Sequence, residues 1–464
     1  MIQDYKVAVV GLGYVGLPLA ALCAKKGYSV VGLDTNSALV GKLSNGKCHI
    51  RDESVERLLA EARVTGRFHP TTNVAGIADC DIYIICVPTP VDDNHDPDLA
   101  PLKSALTSIG PYIKSGNLVV VESTVFPGTS EEIVVPQLEL LTGFQAGKDF
   151  QIAHCPERVN PGDPFWNSEN IPRVVGATAE QGVIQAAEFY ASILGGEIFD
   201  VRVIRHNLRP KFTIENDILK MAQMPLGSVT MMRSIRDAEA VKAMENTVRD
   251  VNIAFVNELA KISDVLELNV VDIIDGMSTK PFGRGPFYPG VGVGGHCIAV
   301  DPEWLKAASK RAGYVPEMIQ LSRITNSGMP AYTVTLLQDM LNERGYPLKN
   351  TKVAVLGVAY KRNVDDSRES PFYEVRELLN KKGAKLSVYD SWYTKENTVK
   401  NLNEALLDTK AILIVTDHDD IVIELKEKQL SDYGVEVLID GRNCMDAKIL
   451  QEQGILYHGI GRKN

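Results

Sequence analysis

A cysteine closing a glycine-rich run is the most chemically suggestive residue of the chain. Cys297 ends Pro289-Gly290-Val291-Gly292-Val293-Gly294-Gly295-His296-Cys297, with Asp301 and Pro302 just beyond. Glycines let backbone bend closely round a ligand. A thiolate among oriented N–H groups can attack a carbonyl carbon. A lone cysteine is more often a small core residue, which suits Cys80 and Cys86 in their apolar runs. Lys242 and Asn246 stand four apart, on one helix face, with Arg249 near that face one turn on. Exposed Lys and Asn are ordinarily only solvated. Here Ala243, Met244, Val248 and Val251 read as buried, which argues for a functional face.

A second constellation opens the chain. An apolar run, Lys6 to Val10, leads into Gly11-Leu12-Gly13-Tyr14-Val15-Gly16 and then a helical pattern. In such a turn the first glycine permits the bend, the second lets backbone approach a pyrophosphate, and the third packs helix on strand. The helix N-terminus offers free N–H groups to the anion. Asp34 ends the next strand, where its carboxylate accepts from ribose hydroxyls and repels a 2'-phosphate; that favours NAD over NADP. The glycine string alone could be a turn in an unrelated sheet; its place between strand and helix gives it weight. Three further strand ends carry polar tips: Val87-Pro88-Thr89-Pro90, Glu122-Ser123-Thr124 and Cys155-Pro156-Glu157-Arg158. Each could be a plain turn, but together they mark the carboxyl ends of strands, where ligands dock in doubly wound sheets.

These residues need a scaffold of alternating strands and helices. Strand-like runs recur at Ser29 to Leu33, Ile82 to Cys86, Leu118 to Glu122 and Gln151 to His154, separated by amphipathic stretches such as Leu17 to Lys26 and Leu102 to Ile113. Alternation of this kind reads as a doubly wound parallel sheet. From Arg236 to Leu266 apolar residues recur at helical spacing without Gly or Pro, predicting one long helix that spans domains or carries a subunit contact. Strand-like runs resume at Lys352 to Leu356, Lys385 to Tyr389, Ala411 to Val415 and Val435 to Ile439. The expected fold class is therefore α/β, two Rossmann-like doubly wound domains flanking a helical middle. The division is 1–203 for a dinucleotide domain, 204–330 for the helical middle with the cysteine loop, and 331–464 for the second Rossmann-like domain.

Composition narrows the partners. At 464 residues two or three domains are expected. A net charge of -10 argues against nucleic acid and anionic membrane, leaving room for a local basic pocket. The seven cysteines are scattered, with no Cys-x-x-Cys pair, so neither a metal site nor a disulfide framework is expected. Reduced thiols, no signal-peptide layout and no run long enough to span a bilayer point to a cytoplasmic protein.

Together the motifs resemble the UDP-glucose/GDP-mannose dehydrogenase family. The matching stretches are Gly11 to Pro18, Val87 to Pro90, Glu122 to Thr129, Pro156 to Arg158, Gly294 to Cys297 and Tyr360 to Pro371, in family order over nearly the whole chain. The resemblance implies a four-electron oxidation of a sugar C6 alcohol to a carboxylate, using two NAD molecules in turn, in polysaccharide or glycan biosynthesis. Cys297 would hold the aldehyde as a thiohemiacetal and the acid as a thioester. Lys242 and Asn246 would hold the reacting oxygen, Glu157 and Asp301 would move protons, and Thr124 would orient water. The cofactor would lie on Gly11, Gly13, Tyr14, Val15, Gly16, Asp34, Thr89 and Thr124. The UDP-sugar would meet Glu157, Arg158, Lys242, Asn246, Arg249, Gly294, His296, Lys361 and Arg368. The second α/β domain lacks a full Gly-x-Gly-x-x-Gly at Gly357 to Lys361, and in this family it holds the substrate's diphosphate. Cys155 to Gly162 and Arg249 to Ala254 resemble the branch acting on UDP-N-acetylhexosamines, UDP-N-acetylmannosamine first; UDP-glucose is the alternative. The long helix predicts a homodimer or larger homo-oligomer.

One segment departs from the pattern. Val203 to Ser234 is longer than family members have there and carries Arg205, His206, Arg209 and Lys211, reading as an insertion, an extra helix, a lid or an assembly contact. Two rival readings remain. A single-step dehydrogenase would leave the glycine loop and the second α/β domain without a purpose. A catalytically dead scaffold would be expected to lack Cys297, Lys242 or Glu157.

Overall fold

Why the first sheet forms is plain from its central strands, which are short and almost wholly apolar, as strands covered on both faces must be. The structure is a computed structural model that describes residues 5–91, 97–159, 163, 165–202, 225–279, 286–295 and 298–463. The chain divides into two units, Met1–Glu245 with Glu303–Gly313, and Asn246–Pro302 with Tyr314–Asn464.

In the first unit the strands are β1 (Lys6–Val10), β2 (Ser29–Leu33), β3 (Phe68–Thr71), β4 (Ile82–Ile85), β5 (Leu118–Val121), β6 (Gln151–His154), β7 (Arg173–Ala177), β8 (Ile198–Asp200) and β9 (Val229–Met231). Their order is β3-β2-β1-β4-β5-β6-β7-β9-β8, so the sheet's direction of growth reverses between β1 and β4. Strands β3 to β6 in that order run parallel, β7 turns antiparallel on β6, and β9 and β8 run parallel to β7. The helix Gly16–Lys25 is buried on nearly every side, because it is packed among the sheet and the helix Glu53–Val64. That explains its run of Leu and Ala in place of an amphipathic stripe. Strand β9 lies inside the stretch Val203 to Ser234, so part of what reads as an insertion is a sheet strand. Residues 203–224, with Arg205, His206, Arg209 and Lys211, lie outside the described residues.

The second unit's sheet comprises β10 (Lys352–Leu356), β11 (Lys385–Tyr389), β12 (Ala411–Ile414), β13 (Val437–Asp440), β14 (Leu456–Gly459) and β15 (Arg462–Lys463), in the order β11-β10-β12-β13-β14-β15. All pairs are parallel except the last. Apolar clusters cover both faces, one including Leu337, Phe372 and Leu379, the other Leu402, Leu406 and Ile421. The two Rossmann-like sheets and the helical middle are thus the architecture the sequence predicts.

The long helix runs Ile235–Leu266, and the division between units falls within it, after Glu245. Its burial corrects one expectation. Met244 is 54 % exposed and Val248 37 %, and Val251 is half-buried. Ala243 is buried as expected, and the buried face mixes small apolar residues, Ala238, Ala243, Ala254 and Ala260, with Glu239, Lys242, Asn246, Asp250 and Asn257 at helical spacing. Hydropathy alone puts Met244 and Val248 on the wrong face. None of the described helices is long and apolar enough to cross a membrane.

Candidate active site

In the first unit the polar tips gather at the carboxyl ends of β1, β4, β5 and β6, around the strand-order reversal. Gly11 sits at φ 93°, and a Cβ there would meet the Cys86 carbonyl oxygen at 2.6 Å. A Cβ on Gly16 would lie 1.8 Å from the Gly11 carbonyl oxygen, so neither position admits a side chain. A Cβ on Gly13 meets nothing within 4 Å. The middle of the turn therefore faces open space at the start of a helix, a fit for a pyrophosphate. Tyr14 is exposed and Val15 half-buried beside it. Asp34 is half-buried, with one carboxylate oxygen accepting from Leu12 N–H and the other from Asn36 N–H, both at 2.8 Å.

Thr89 is buried and Thr124 half-buried. Between them Ser123, which sequence reasoning passed over, donates its hydroxyl to the Val87 carbonyl at 2.8 Å and so ties the two strand ends. Immediately before it Glu122 pairs with Arg173 at 3.1 Å and accepts from the Tyr190 hydroxyl at 2.5 Å, all out of water. Beyond it Phe126 lies under the guanidinium of Arg311 at 4.0 Å and beside Trp304. The loop bearing Thr124 is thus held at both ends.

Glu157 and Lys242 are each 8 % exposed. The Glu157 carboxylate accepts from Val159 N–H at 2.6 Å. Arg158 is engaged internally, its Nε donating to Glu245 at 2.9 Å and its Nη1 to the Pro172 carbonyl at 3.1 Å, with a further pair to Glu245. Burial, with the Lys242 ammonium adding to it, pushes His154 down to about 3, so a neutral imidazole lies near Lys242.

In the second unit Asn246, 8 % exposed, donates through Nδ2 to Asp301 Oδ2 at 2.5 Å. These two residues, distant in sequence, are brought together in the second unit. Arg249 is exposed and Lys361 half-buried. Arg368 forks onto Asp366 through Nε and Nη2. Gly294 and Gly295 pack on Tyr360, where Cβ atoms would come within 2.8 Å of its side chain, and Gly295 N–H donates to the Arg368 carbonyl at 3.0 Å. The glycine loop and the Tyr360 to Pro371 stretch are therefore one packed body. His296 and Cys297 lie outside the described residues.

That loop has a buried polar support that sequence reasoning did not name. Asn257 accepts from Gly290 N–H at 3.0 Å and donates to Asn326 at 2.9 Å; Asn326 donates to Asp250 Oδ1 at 2.8 Å, as Arg323 does. The signal was available in the spacing of Lys242, Asn246, Asp250 and Asn257 along one helix face. Arg442, also unremarked, reaches from the end of β13 to the Val415 carbonyl at 2.8 Å, and its guanidinium crowds Gly290.

A doubly wound sheet with an open glycine turn and an acidic residue after its second strand defines a dinucleotide-binding domain. The chain belongs to the UDP-glucose/GDP-mannose dehydrogenase family of NAD-dependent nucleotide-sugar dehydrogenases: residues 5–194 match its NAD binding domain, 236–328 its central domain and 354–447 its UDP binding domain. It is 34 % identical over 458 residues to the UDP-N-acetyl-D-mannosamine dehydrogenase of Pyrococcus horikoshii, covering 98 % of this chain and 99 % of that one. It is 32 % identical to the UDP-N-acetyl-D-glucosamine 6-dehydrogenase of Pseudomonas aeruginosa, over 94 % of this chain and 93 % of that one. The solved structure of the Pyrococcus horikoshii UDP-N-acetyl-D-mannosamine dehydrogenase superposes with a TM-score of 0.85 at 33 % identity, over 98 % of this chain and 99 % of that one.

Proposed function

We propose that the chain oxidises the C6 alcohol of a UDP-N-acetylhexosamine, UDP-N-acetylmannosamine before its glucosamine epimer, to the uronate. The full-length similarity to enzymes named for those two substrates supports the substrate class. The observation that carries the chemistry is the buried Asn246–Asp301 pair, one helical turn beyond the buried Lys242. NAD, held by the Gly11 to Gly16 turn and Asp34, supplies a hydride acceptor, and the passage from alcohol to acid needs it twice.

The chain's own residues supply the rest. Glu157 or Asp301 takes the C6 hydroxyl proton while Lys242 and the Asn246 amide stabilise the negative charge on the oxygen, and loss of the first hydride from C6 leaves the aldehyde. The Cys297 thiolate adds to the aldehyde carbon, and the oxygen of the resulting thiohemiacetal is stabilised by the same pair. Loss of a second hydride leaves a thioester at Cys297. Water, oriented by Thr124 and deprotonated by Asp301 or Glu157, cleaves the thioester, releasing the carboxylate and the thiol. Lys361, Arg368 and Arg249 are the cations for the substrate's diphosphate, with Arg158 and the His296 loop beside the sugar.

The functional division is 1–203 for NAD, 204–330 for the cysteine loop and assembly, and 331–464 for the UDP-sugar. Assembly as a homodimer is supported by an exposed apolar stripe on the long helix, Met244, Val248, Phe255 and Ile262. The six described cysteines are free, in keeping with work in the reducing cytoplasm.

The test is a panel of UDP-N-acetylmannosamine, UDP-N-acetylglucosamine and UDP-glucose with NAD, following NADH and uronate together. Two NADH per uronate and preference for an N-acetylated sugar are expected, with Cys297→Ala making no uronate. One NADH per product, or acid formed by Cys297→Ala, would leave a single-step dehydrogenase. Preference for UDP-glucose would overturn the substrate class alone.

A further inference from the structure

The second sheet repeats the first sheet's turn and then uses it differently. Gly11 N–H donates to the Leu33 carbonyl at 2.8 Å, and Gly357 N–H donates to the Tyr389 carbonyl at 2.9 Å. Both glycines have φ near 90°, at 93° and 90°. An aspartate follows the second strand in each case, Asp34 after β2 and Asp390 after β11. Asp34 stays half-buried, but Asp390 is wholly out of water.

Asp390 is saturated by donors of its own chain. Its Oδ2 accepts from Val358 N–H at 2.5 Å, Ala359 N–H at 2.9 Å and His418 Nε2 at 3.0 Å. Its Oδ1 accepts from Trp392 N–H at 2.7 Å and Tyr393 N–H at 2.8 Å. Trp392 stacks on His418, ring centres 6.3 Å apart. The Val358 N–H bond repeats the Leu12 N–H bond to Asp34 in the first turn; the difference is the next N–H, that of Ala359, which lies where a dinucleotide phosphate binds such a turn and is taken here by an internal carboxylate.

His418 extends this anchor into the neighbouring loop. Its Nδ1 accepts from Asn363 N–H at 3.0 Å, so the ring proton sits on Nε2, facing Asp390. Asn363 is held at φ 56°, and its amide clasps Asp419 in both directions, donating to Oδ2 at 2.5 Å and accepting from Asp419 N–H at 3.1 Å. In the first sheet the helix starts at Gly16, inside the glycine turn; in the second it starts only at Pro371. The intervening loop carries Lys361, Asn363 and Arg368.

We propose that Asp390 and His418 form an internal anchor that replaces a cofactor phosphate at the second glycine turn and, through the His418 Nδ1 to Asn363 N–H bond, shapes the Lys361 to Arg368 loop to receive the substrate's diphosphate. His418 is a positioning residue, and the identity of the ligand rests on the UDP-sugar reading. The two ring nitrogens are separable by substitution. Asn in place of His418 sets an amide oxygen where Nδ1 lies, and Gln sets an amide nitrogen where Nε2 lies.

The test titrates UDP alone into the full-length protein, its His418→Gln and His418→Asn variants and Asn363→Gly, alongside KM for NAD and thermal unfolding. His418→Gln, which strands the Asn363 N–H, is expected to weaken UDP about tenfold with KM for NAD unchanged, the scale of one ordering hydrogen bond. His418→Asn should stay within about threefold of wild type. Asn363→Gly keeps the N–H and tolerates positive φ, so the fold survives while the Asp419 clasp is lost; UDP should weaken severalfold. Equal effects of Gln and Asn, equal effects on UDP and NAD, or a loss of UDP binding in Asn363→Gly as large as in His418→Gln would overturn the anchor. Failure of the wild type to bind UDP at all would overturn the functional reading, and this proposal with it.

Discussion

The two glycine turns share strand order, backbone hydrogen bond and following aspartate, yet one is left open and the other is filled by the chain. In the first, a Cβ on Gly13 would meet nothing within 4 Å, and Asp34 keeps part of its surface in water. In the second, the position matching Gly13 is Ala359, whose N–H is given to Asp390, and Asp390 spends its lone pairs on five internal donors. The lesson is that a repeated topology does not repeat a function. What differs is how far the carboxylate after the second strand reaches into the turn: Asp34 takes Leu12 N–H, whereas Asp390 takes both Val358 N–H and Ala359 N–H.

The largest effect is expected beneath the first turn. Arg173→Leu leaves the Glu122 carboxylate buried without its cation, which costs about 3–5 kcal/mol, read as a loss of denaturation free energy. Glu122→Leu with Arg173→Leu should recover part of that loss; if the double variant is no more stable than the single, the pair is not what Arg173 serves.

Gly13→Ala tests openness itself. Thermal stability should hold, since the methyl meets no protein atom, while NAD weakens about a hundredfold, or ~2.7 kcal/mol, from lost approach to the pyrophosphate. A variant with unaltered NAD affinity would place the cofactor elsewhere.

At the second turn Asp390→Asn should cost about 2 kcal/mol at neutral pH. Burial alone would push the Asp390 carboxyl up from its ordinary 3.8, but His418 and the N–H groups of Ala359 and Tyr393 outweigh it and hold it at about 2. The folded value is the lower one, so this stability is full above about pH 4 and is lost as pH falls through about 2. Acid unfolding followed between pH 5 and 2 should show a shallower slope in the variant; an identical slope would deny Asp390 its role.

The smallest effect belongs to Asp34→Ser. Removing the carboxylate should narrow the preference for NAD over NADP about tenfold, as measured by the ratio of kcat/KM values. A wild type that uses both cofactors equally would contradict the reading of Asp34.

Much of the fold was legible because parallel strands covered on both faces are unbroken apolar runs, and because Gly11 and Gly16 are dictated by local crowding. The strands β7, β8 and β9 were not, being short and scattered round residues 203–224. In the site, spacing placed Lys242 and Asn246 on one face, and family motifs singled out Asp301; the structure adds the bond between Asn246 and Asp301. What escaped was the long helix's orientation. A helix that buries Glu239, Asp250 and Asn257 among small apolar residues and exposes Met244 and Phe255 departs from the usual hydropathy rule, because those polar side chains meet polar partners. Asp390 and His418 escaped for a similar reason: their function is a set of backbone contacts, which no side-chain motif records.

The most direct measurement is calorimetric titration of NAD and of UDP into one preparation of the full chain. One NAD per chain, its affinity unaltered by saturating UDP, with one UDP bound independently, is the result expected of one open turn and one filled turn. Two NAD per chain, or NAD displaced by UDP, would contradict it.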